Sequence, residues 1–289
     1  MMIPQPLMPS GLTLPELLGS ALRDRQGRPR TAVMGILNVT PDSFSDGGRW
    51  STTDAAVAHA MDMAGQGAAI IDIGGESTRP GSTRIDEDEE WRRIGPVIDA
   101  LVAKGIVVSV DTLHAATARR AGESGASIIN DVSGGMWDEG MNEAVAESGC
   151  AYVIQHYRAL PGMPGESFDY GDDVVGTLLE RMRVQVDAAL EAGVKRESII
   201  IDPGLGFSLN PTQCWTIVEQ MDRLNSLGFP VLIGASRKRF IAETGEDRDL
   251  VTARISAQCA SQGMWAVRVH NVAGNARAIV DTMEQGGED

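Results

Sequence analysis

The chain has 289 residues, 43% hydrophobic and 22% charged, which is enough for one large domain or two small ones around a sizeable core. That composition excludes disorder as the main state, and no apolar run approaches the ~20 residues that a bilayer crossing needs. Lys+Arg 25 against Asp+Glu 40 gives a net charge of −15, which argues against a general nucleic-acid binder, whose phosphate contacts need basic patches.

Met1 to Leu22 carry prolines and lack the basic, apolar-cored pattern of a signal peptide. Residues 1–30 precede the first strand pattern and are read as an N-terminal extension or barrel cap, with residues 31–289 as one domain. Strands are expected at Thr31–Asn38, Ala68–Ile73, Ile106–Asp111, Ser127–Val132, Ala151–His156, Ser198–Asp202, Pro230–Gly234 and Trp265–His270. These runs are nearly continuous in Val, Ile and Ala, as in parallel strands covered on both faces. Between them, helical spacing appears at Asp54–Gly65, Glu89–Lys104, Ala115–Ser124, Asp173–Ala192, Gln213–Ser226 and Thr252–Gln262. Eight strand–helix alternations match a closed (β/α)₈ (TIM) barrel. An open doubly wound sheet is the alternative, weakened because no G-x-G-x-x-G follows the first strand.

Cys150, Cys214 and Cys259 are too widely spaced for a disulfide framework or a zinc site, and a reducing, cytoplasmic setting fits them. The acidic run Asp86–Glu90 reads as carboxylates in a first helical turn, favoured there by the macrodipole, rather than as a metal site. His59 and His114 fall on helical stretches and are read as surface or packing residues.

In such a barrel the chemistry sits at the C-terminal ends of the strands. Those ends hold Asn38, Asp72, Asp111, Asn130 with Asp131, His156, Asp202, Ser236 with Lys238, and Arg268 with His270. One polar group at a strand end can simply satisfy loop backbone. A polar group at every end asks for more: carboxylates and amides suit a neutral heterocycle rich in N–H groups, and the Lys–Arg–His group after the last two strands suits an anion. Two Gly- and Pro-bearing loops, 38–48 and 74–81, also offer Phe44 and Arg79 and have the character of lids.

Several segments carry a resemblance. Met34–Gly48 (MGILNVTPDSFSDGG), Asp72–Arg84 (DIGGESTRPGSTR), Ser109–Thr112, Ile129–Gly135, Ile201–Phe207, Gly234–Phe240 and Arg268–Val272 resemble, in order, the motifs of the dihydropteroate synthases, the sulfonamide targets of folate biosynthesis. The resemblance implies a transferase joining 6-hydroxymethyl-7,8-dihydropterin diphosphate to 4-aminobenzoate. It implies that Asp111, Asn130, Asp202 and Lys238 meet the pterin. Arg268, Val269 and His270, with Asn38, would meet the diphosphate, Asn38 placing Mg²⁺. Thr78, Pro80, Phe44, Phe207 and Ser236 would shape the aminobenzoate pocket, with Asp42 and Arg79 as loop charges assembling the closed state. A homodimer is also implied. A pterin-binding paralogue without turnover and a pterin-dependent methyltransferase are the alternatives; the methyltransferase has no need of the Lys238–Arg268–His270 group. Departures from the family pattern fall at Gln155 (commonly Met), Ser208-Leu209 (commonly Gly or Ala, then Lys), Gln213-Cys214 (commonly His-Asn) and Asn271 (commonly Asp). They bear on the entrance to the aminobenzoate pocket and on the support of His270.

Overall fold

The computed structural model describes residues 30–40, 52–76 and 84–285. Eight parallel strands run β1 (Ala32–Asn38), β2 (Ile70–Gly74), β3 (Val108–Asp111), β4 (Ile128–Asp131), β5 (Ala151–Gln155), β6 (Ile199–Asp202), β7 (Leu232–Ile233) and β8 (Ala266–Val269). Their order is β6-β5-β4-β3-β2-β1-β8-β7. The two ends of that order meet at a parallel bridge between Ile201 and Val231, where the Ile201 N–H donates to the Pro230 carbonyl at 2.9 Å. The sheet therefore closes on itself, and the expected (β/α)₈ barrel is the observed one. β7 is shorter than the expected Pro230–Gly234, because Pro230 has no N–H to give to the ladder.

The helices are α1 (Thr52–Gly65), α2 (Glu87–Val102), α3 (Ala115–Glu123), α4 (Met141–Ser148), α5 (Val174–Glu191), α6 (Pro211–Glu219), α7 (Arg239–Ala242), α8 (Arg248–Ser261) and α9 (Val272–Gln285). At the start of α2, Asp86 accepts from the Glu89 N–H at 2.8 Å, and four carboxylates fill the first turn, as expected of that acidic run. Glu90 differs from the rest: it is buried, accepts from the Thr112 hydroxyl at 2.7 Å, and burial raises its carboxyl. The expected helix Gln213–Ser226 begins earlier, since Asn210, Pro211 and Gln213 form a capping box with Pro in the first turn. It also ends earlier, passing into a 3₁₀ stretch, Met221–Leu227, that stops at Gly228 in the left-handed region (φ 71°). α8 starts at Arg248, a turn before the expected Thr252, because the Asp247 carboxylate caps the Leu250 N–H at 2.9 Å.

Strand alternation gives two cores. Inward-facing Ala32, Met34, Ile70, Val153, Ile200 and Leu232 fill the lower barrel. Their outward neighbours, such as Val33, Ile71, Val110 and Ile201, pack against the helices. Each fully buried Ile or Leu contributes about 1.5–3 kcal/mol relative to exposure. All three cysteines are free and buried.

Candidate active site

Two residues above that apolar plug, or four on β3, the same inward rows change chemistry. They carry Asp72 on β2, Asp111 on β3, Asn130 on β4, Gln155 on β5, Asp202 on β6 and Arg268 on β8. Above them opens a cavity of about 820 Å³, whose walls include Asn38, Asp111, Asn130, Asp202, Phe207, Ser236, Lys238, Arg268 and His270. The structure thus brings together most of the residues that the sequence singles out.

Arg268 organises the centre. Its Nε donates to Asp72 Oδ2 at 2.6 Å and its Nη2 to Asp111 Oδ2 at 2.6 Å. Asn130 Nδ2 reaches the same Asp72 oxygen at 3.2 Å, so its amide is oriented from below. Asp72 itself is completely buried and serves as the base on which Arg268 and Asn130 rest. Burial opposes the charge of Arg268, but Asp72 and Asp111 outweigh it and hold the guanidinium protonated. Burial lifts the Asp111 carboxyl above the ordinary carboxylate range; Arg268 pulls it back and the charge of Asp72 adds to the rise. Asp202 accepts from the Gly204 N–H at 2.7 Å, yet burial raises its carboxyl to about 6 against the pull of that bond and of Lys238.

Lys238 enters from the far side. Its Nζ lies 4.1 Å from the Phe207 ring centroid, a cation–π contact, and burial of the amine lowers its pKa to about 8. Gly206 makes room for its stem: a Cβ there would lie 3.3 Å from Lys238 Cδ, and the residue has φ +79°. The turn that delivers Lys238 holds Arg237 at φ 59°, a left-handed conformation costly for a non-glycine residue and concentrated at functional sites. Beside it, Ser236 Oγ accepts from the His270 N–H at 3.2 Å and lies 3.0 Å from His270 Nδ1.

Other residues go elsewhere. Asp131 faces away from the cavity and accepts from the Ser133 and Gly135 N–H groups, each at 2.7 Å, and from the Tyr152 hydroxyl at 3.2 Å, so it shapes the β4–α4 turn. His156 is buried outside the cavity, 3.3 Å from the Tyr170 hydroxyl; burial, then Arg181 and Arg158, lower its pKa to about 3, so it is neutral. Val269 is corrected as a lining residue: by strand alternation its side chain packs in the outer core against the helices. His59 is exposed on α1, and His114 stands 3.6 Å from Glu76. Asp42, Phe44, Thr78, Arg79 and Pro80 lie outside the described residues.

Among the departures, Gln213 and Asn271 hold the ends of helices. Ser208 is buried in a left-handed conformation (φ 49°). Gln213 completes the α6 capping box and donates to the Phe168 carbonyl at 2.7 Å, tying the β5–α5 loop to α6. Cys214 lines the cavity, and burial pushes its thiol up to about 11. Asn271 accepts from the Gly274 N–H at 3.1 Å in the first turn of α9 and donates to Asp249 of α8 at 3.1 Å, so the residue after His270 is anchored to two helices.

Residues 34–270 match the family described as pterin binding enzyme. The chain is 46% identical over 263 residues to a dihydropteroate synthase of Mycobacterium leprae, covering 87% of this chain and 91% of the relative. A Xanthomonas albilineans dihydropteroate synthase solved with 4-aminobenzoic acid superposes with a TM-score of 0.82 at 40% identity, covering 90% of this chain and 94% of that one. The same organism's enzyme in complex with 7,8-dihydropteroate gives 0.79 at 37% identity, covering 90% and 95%. The chain belongs to the dihydropteroate synthase family. In this chain the cavity is divided by charge: Asp111, Asn130 and Asp202 on β3, β4 and β6 face Lys238, Arg268 and His270, which follow β7 or lie on and after β8. Gln155, which sequence reasoning noted only as a departure, stands inside the first group; the signal was its place two residues above inward-facing Val153.

Proposed function

We infer that the protein is a transferase that joins 6-hydroxymethyl-7,8-dihydropterin diphosphate to 4-aminobenzoate, forming 7,8-dihydropteroate and releasing diphosphate. The observation that carries this reading is the division of one cavity into a side with hydrogen-bond acceptors and a cationic side, in a chain of this family. Asp202 and Asp111 are suited to accept from ring N–H groups, and Asn130, with both donor and acceptor, fixes one edge. The Arg268 guanidinium, held by Asp72 and Asp111, has further N–H groups to offer the diphosphate, and Lys238 and the His270 ring border the same side.

The reaction breaks the bond between the pterin methylene carbon and the diphosphate oxygen, the electron pair leaving with diphosphate. The aromatic amine forms the new C–N bond and loses a proton. No protein nucleophile is needed. The cations stabilise charge that grows on the leaving group, which is where fixed electrostatics lower a barrier most. Phe207 and Ser236 border the side from which the amine would approach, and the loop residues Thr78, Arg79 and Asp42 belong to the same assignment.

Mg²⁺ is part of the proposal. Asn38 is exposed at the end of β1 on the cavity wall and offers a hard amide oxygen. Among the described residues no cluster of three or more His, Cys, Asp or Glu converges on a metal. Asn38 would hold the ion through its amide oxygen, a hard donor of the kind Mg²⁺ takes. When bound, such an ion supplies charge neutralisation at the leaving group.

The three free, buried cysteines suit a reducing cytoplasm, and among the described residues no helix is long and apolar enough to cross a membrane. A homodimer follows from the resemblance. The test is diphosphate release by purified protein with Mg²⁺ and the pterin diphosphate. Release that depends on 4-aminobenzoate, with dihydropteroate formed, is expected. Saturable pterin binding without release would move the reading to a non-catalytic pterin binder.

A further inference from the structure

We propose that Gln155 is a specificity-determining residue of the pterin site, accepting the second N–H of the exocyclic 2-amine whose first N–H goes to Asp202. The inference rests on the proposed function and names one contact within it. Gln155 pairs in register with Asp202 on β6, while on β4 Asn130 pairs with Val153, the inward residue two positions below Gln155, so Gln155 stands between strands that both carry groups of the ring-binding side. It is buried yet lines the cavity.

The orientation of its amide is fixed by its neighbours. Nε2 donates to the Val132 carbonyl at 3.0 Å; a flipped amide would set oxygen against oxygen there. On the other side the chain presses on Gly204, where a Cβ would meet Gln155 Cγ at 3.1 Å and Cδ at 3.4 Å. Its backbone carbonyl accepts from Gln185 Nε2 at 2.9 Å, and Gln185 in turn holds the Ser133 carbonyl at 3.0 Å and the Tyr157 N–H at 3.2 Å. The side chain is therefore locked, and its Oε1 has no hydrogen-bond partner in the described protein. An acceptor preorganised in this way rewards a donor and penalises another acceptor at the same place. An amine carries two N–H groups, and adjacent acceptors on β5 and β6 match them; a keto oxygen in that position would face two acceptors at once.

The experiment compares the affinity of 6-hydroxymethylpterin with that of 6-hydroxymethyllumazine, which has oxygen in place of the 2-amine. Both are titrated calorimetrically into the wild type, Gln155→Met and Gln155→Leu. The wild type should prefer the pterin, and both variants should lose about 3- to 10-fold of that preference, the range of one neutral hydrogen bond. The KM for 4-aminobenzoate should stay within about two-fold, since its side of the cavity is untouched. An unchanged pterin-to-lumazine ratio in both variants overturns the inference while a turning-over wild type leaves the proposed function standing. A wild type that binds neither ligand overturns both. Melting temperatures of the variants separate a lost contact from a lost fold, and two replacements of different shape guard against one packing badly.

Discussion

The lower and upper halves of the barrel interior are built from the same strands and differ by one step of alternation, two residues or about 7 Å. Below, Ile70, Ile128, Val153, Ile200 and Ala266 make a dry plug. Above, Asp72, Asn130, Gln155, Asp202 and Arg268 occupy the next inward positions. Burial is nearly as complete in both layers: Ile200 is 0% exposed and Asp202 4%. The lower layer gains from exclusion of water. The upper layer is charged at similar depth and persists because its groups are held by one another or by loop backbone. Stability and chemistry are thus stacked, with the plug supporting a ring that is costly by itself.

The largest expected effect comes from removing the group that makes the upper layer tolerable. Arg268→Ala leaves Asp72 and Asp111 buried without their counter-ion, and breaking a buried pair of this kind costs about 3–5 kcal/mol. Denaturant unfolding should register that loss, and turnover should disappear with it. An Arg268→Ala protein as stable as the wild type would break the idea that the ring depends on internal pairing.

The comparison sharpens on the pair Ile200 and Asp202, two residues apart on β6. Ile200→Ala opens a cavity in the plug and should cost about 2–5 kcal/mol of stability while the KM for the pterin substrate stays within about two-fold. Asp202→Asn should do the reverse, keeping the fold and weakening pterin binding about 10- to 100-fold through loss of charge-assisted bonds. The pH dependence has a defined sign. The Asp202 carboxyl is raised to about 6 in the folded protein, so its contribution to stability is fully present below the unfolded value of about 4 and is lost as pH rises through 6. Pterin binding needs the ionised acceptor, so affinity should run the other way, falling as pH drops through about 6. Calorimetric titration of 6-hydroxymethylpterin across that window checks it, and Asp202→Asn should flatten the profile. A wild-type affinity independent of pH would remove Asp202 from the ring-binding side.

Much of this is legible in the sequence because continuous apolar runs mark buried parallel strands, and because polar residues at the C-terminal ends of all of them together ask for more than loop satisfaction. Asp111, Asn130, Asp202 and Arg268 were found that way. Val269 comes into the site only through the resemblance, and strand alternation turns its side chain to the helices while Arg268 beside it points inward. Asp131 and His156 misled for a related reason: a polar residue at a strand end can turn outward and be satisfied by loop backbone or by a tyrosine hydroxyl. Contacts between distant elements were invisible. Nothing in a linear chain says that Asp72 lies under Arg268 or that Gln185 braces β4 and β5. The early start of α6 was readable in Asn210-Pro211 with Gln213, but the 3₁₀ continuation after Glu219 keeps helical-looking spacing and hid its end.

The smallest effect expected lies at the rim, where the upper layer meets the loops. Gln213 receives the Asn210 N–H on its own Oε1 at 2.9 Å, completing the capping box, and its Nε2 holds the Phe168 carbonyl at 2.7 Å. Phe168 lines the cavity on a loop that Arg158 also ties down, through the Ser167 and Asp169 carbonyls at 3.0 and 2.7 Å. Gln213→Ala should therefore cost only about 0.5–1 kcal/mol, since Asn210 still caps the helix and Arg158 still holds the loop. Its effect on catalysis should be a rise of about two- to three-fold in one KM with kcat unchanged, because the side chain touches a wall of the cavity and none of the charged groups. A fall in kcat as large as that of Asp202→Asn would mean that the rim is coupled to the ring, and the division between a tolerant border and an exacting centre would fail.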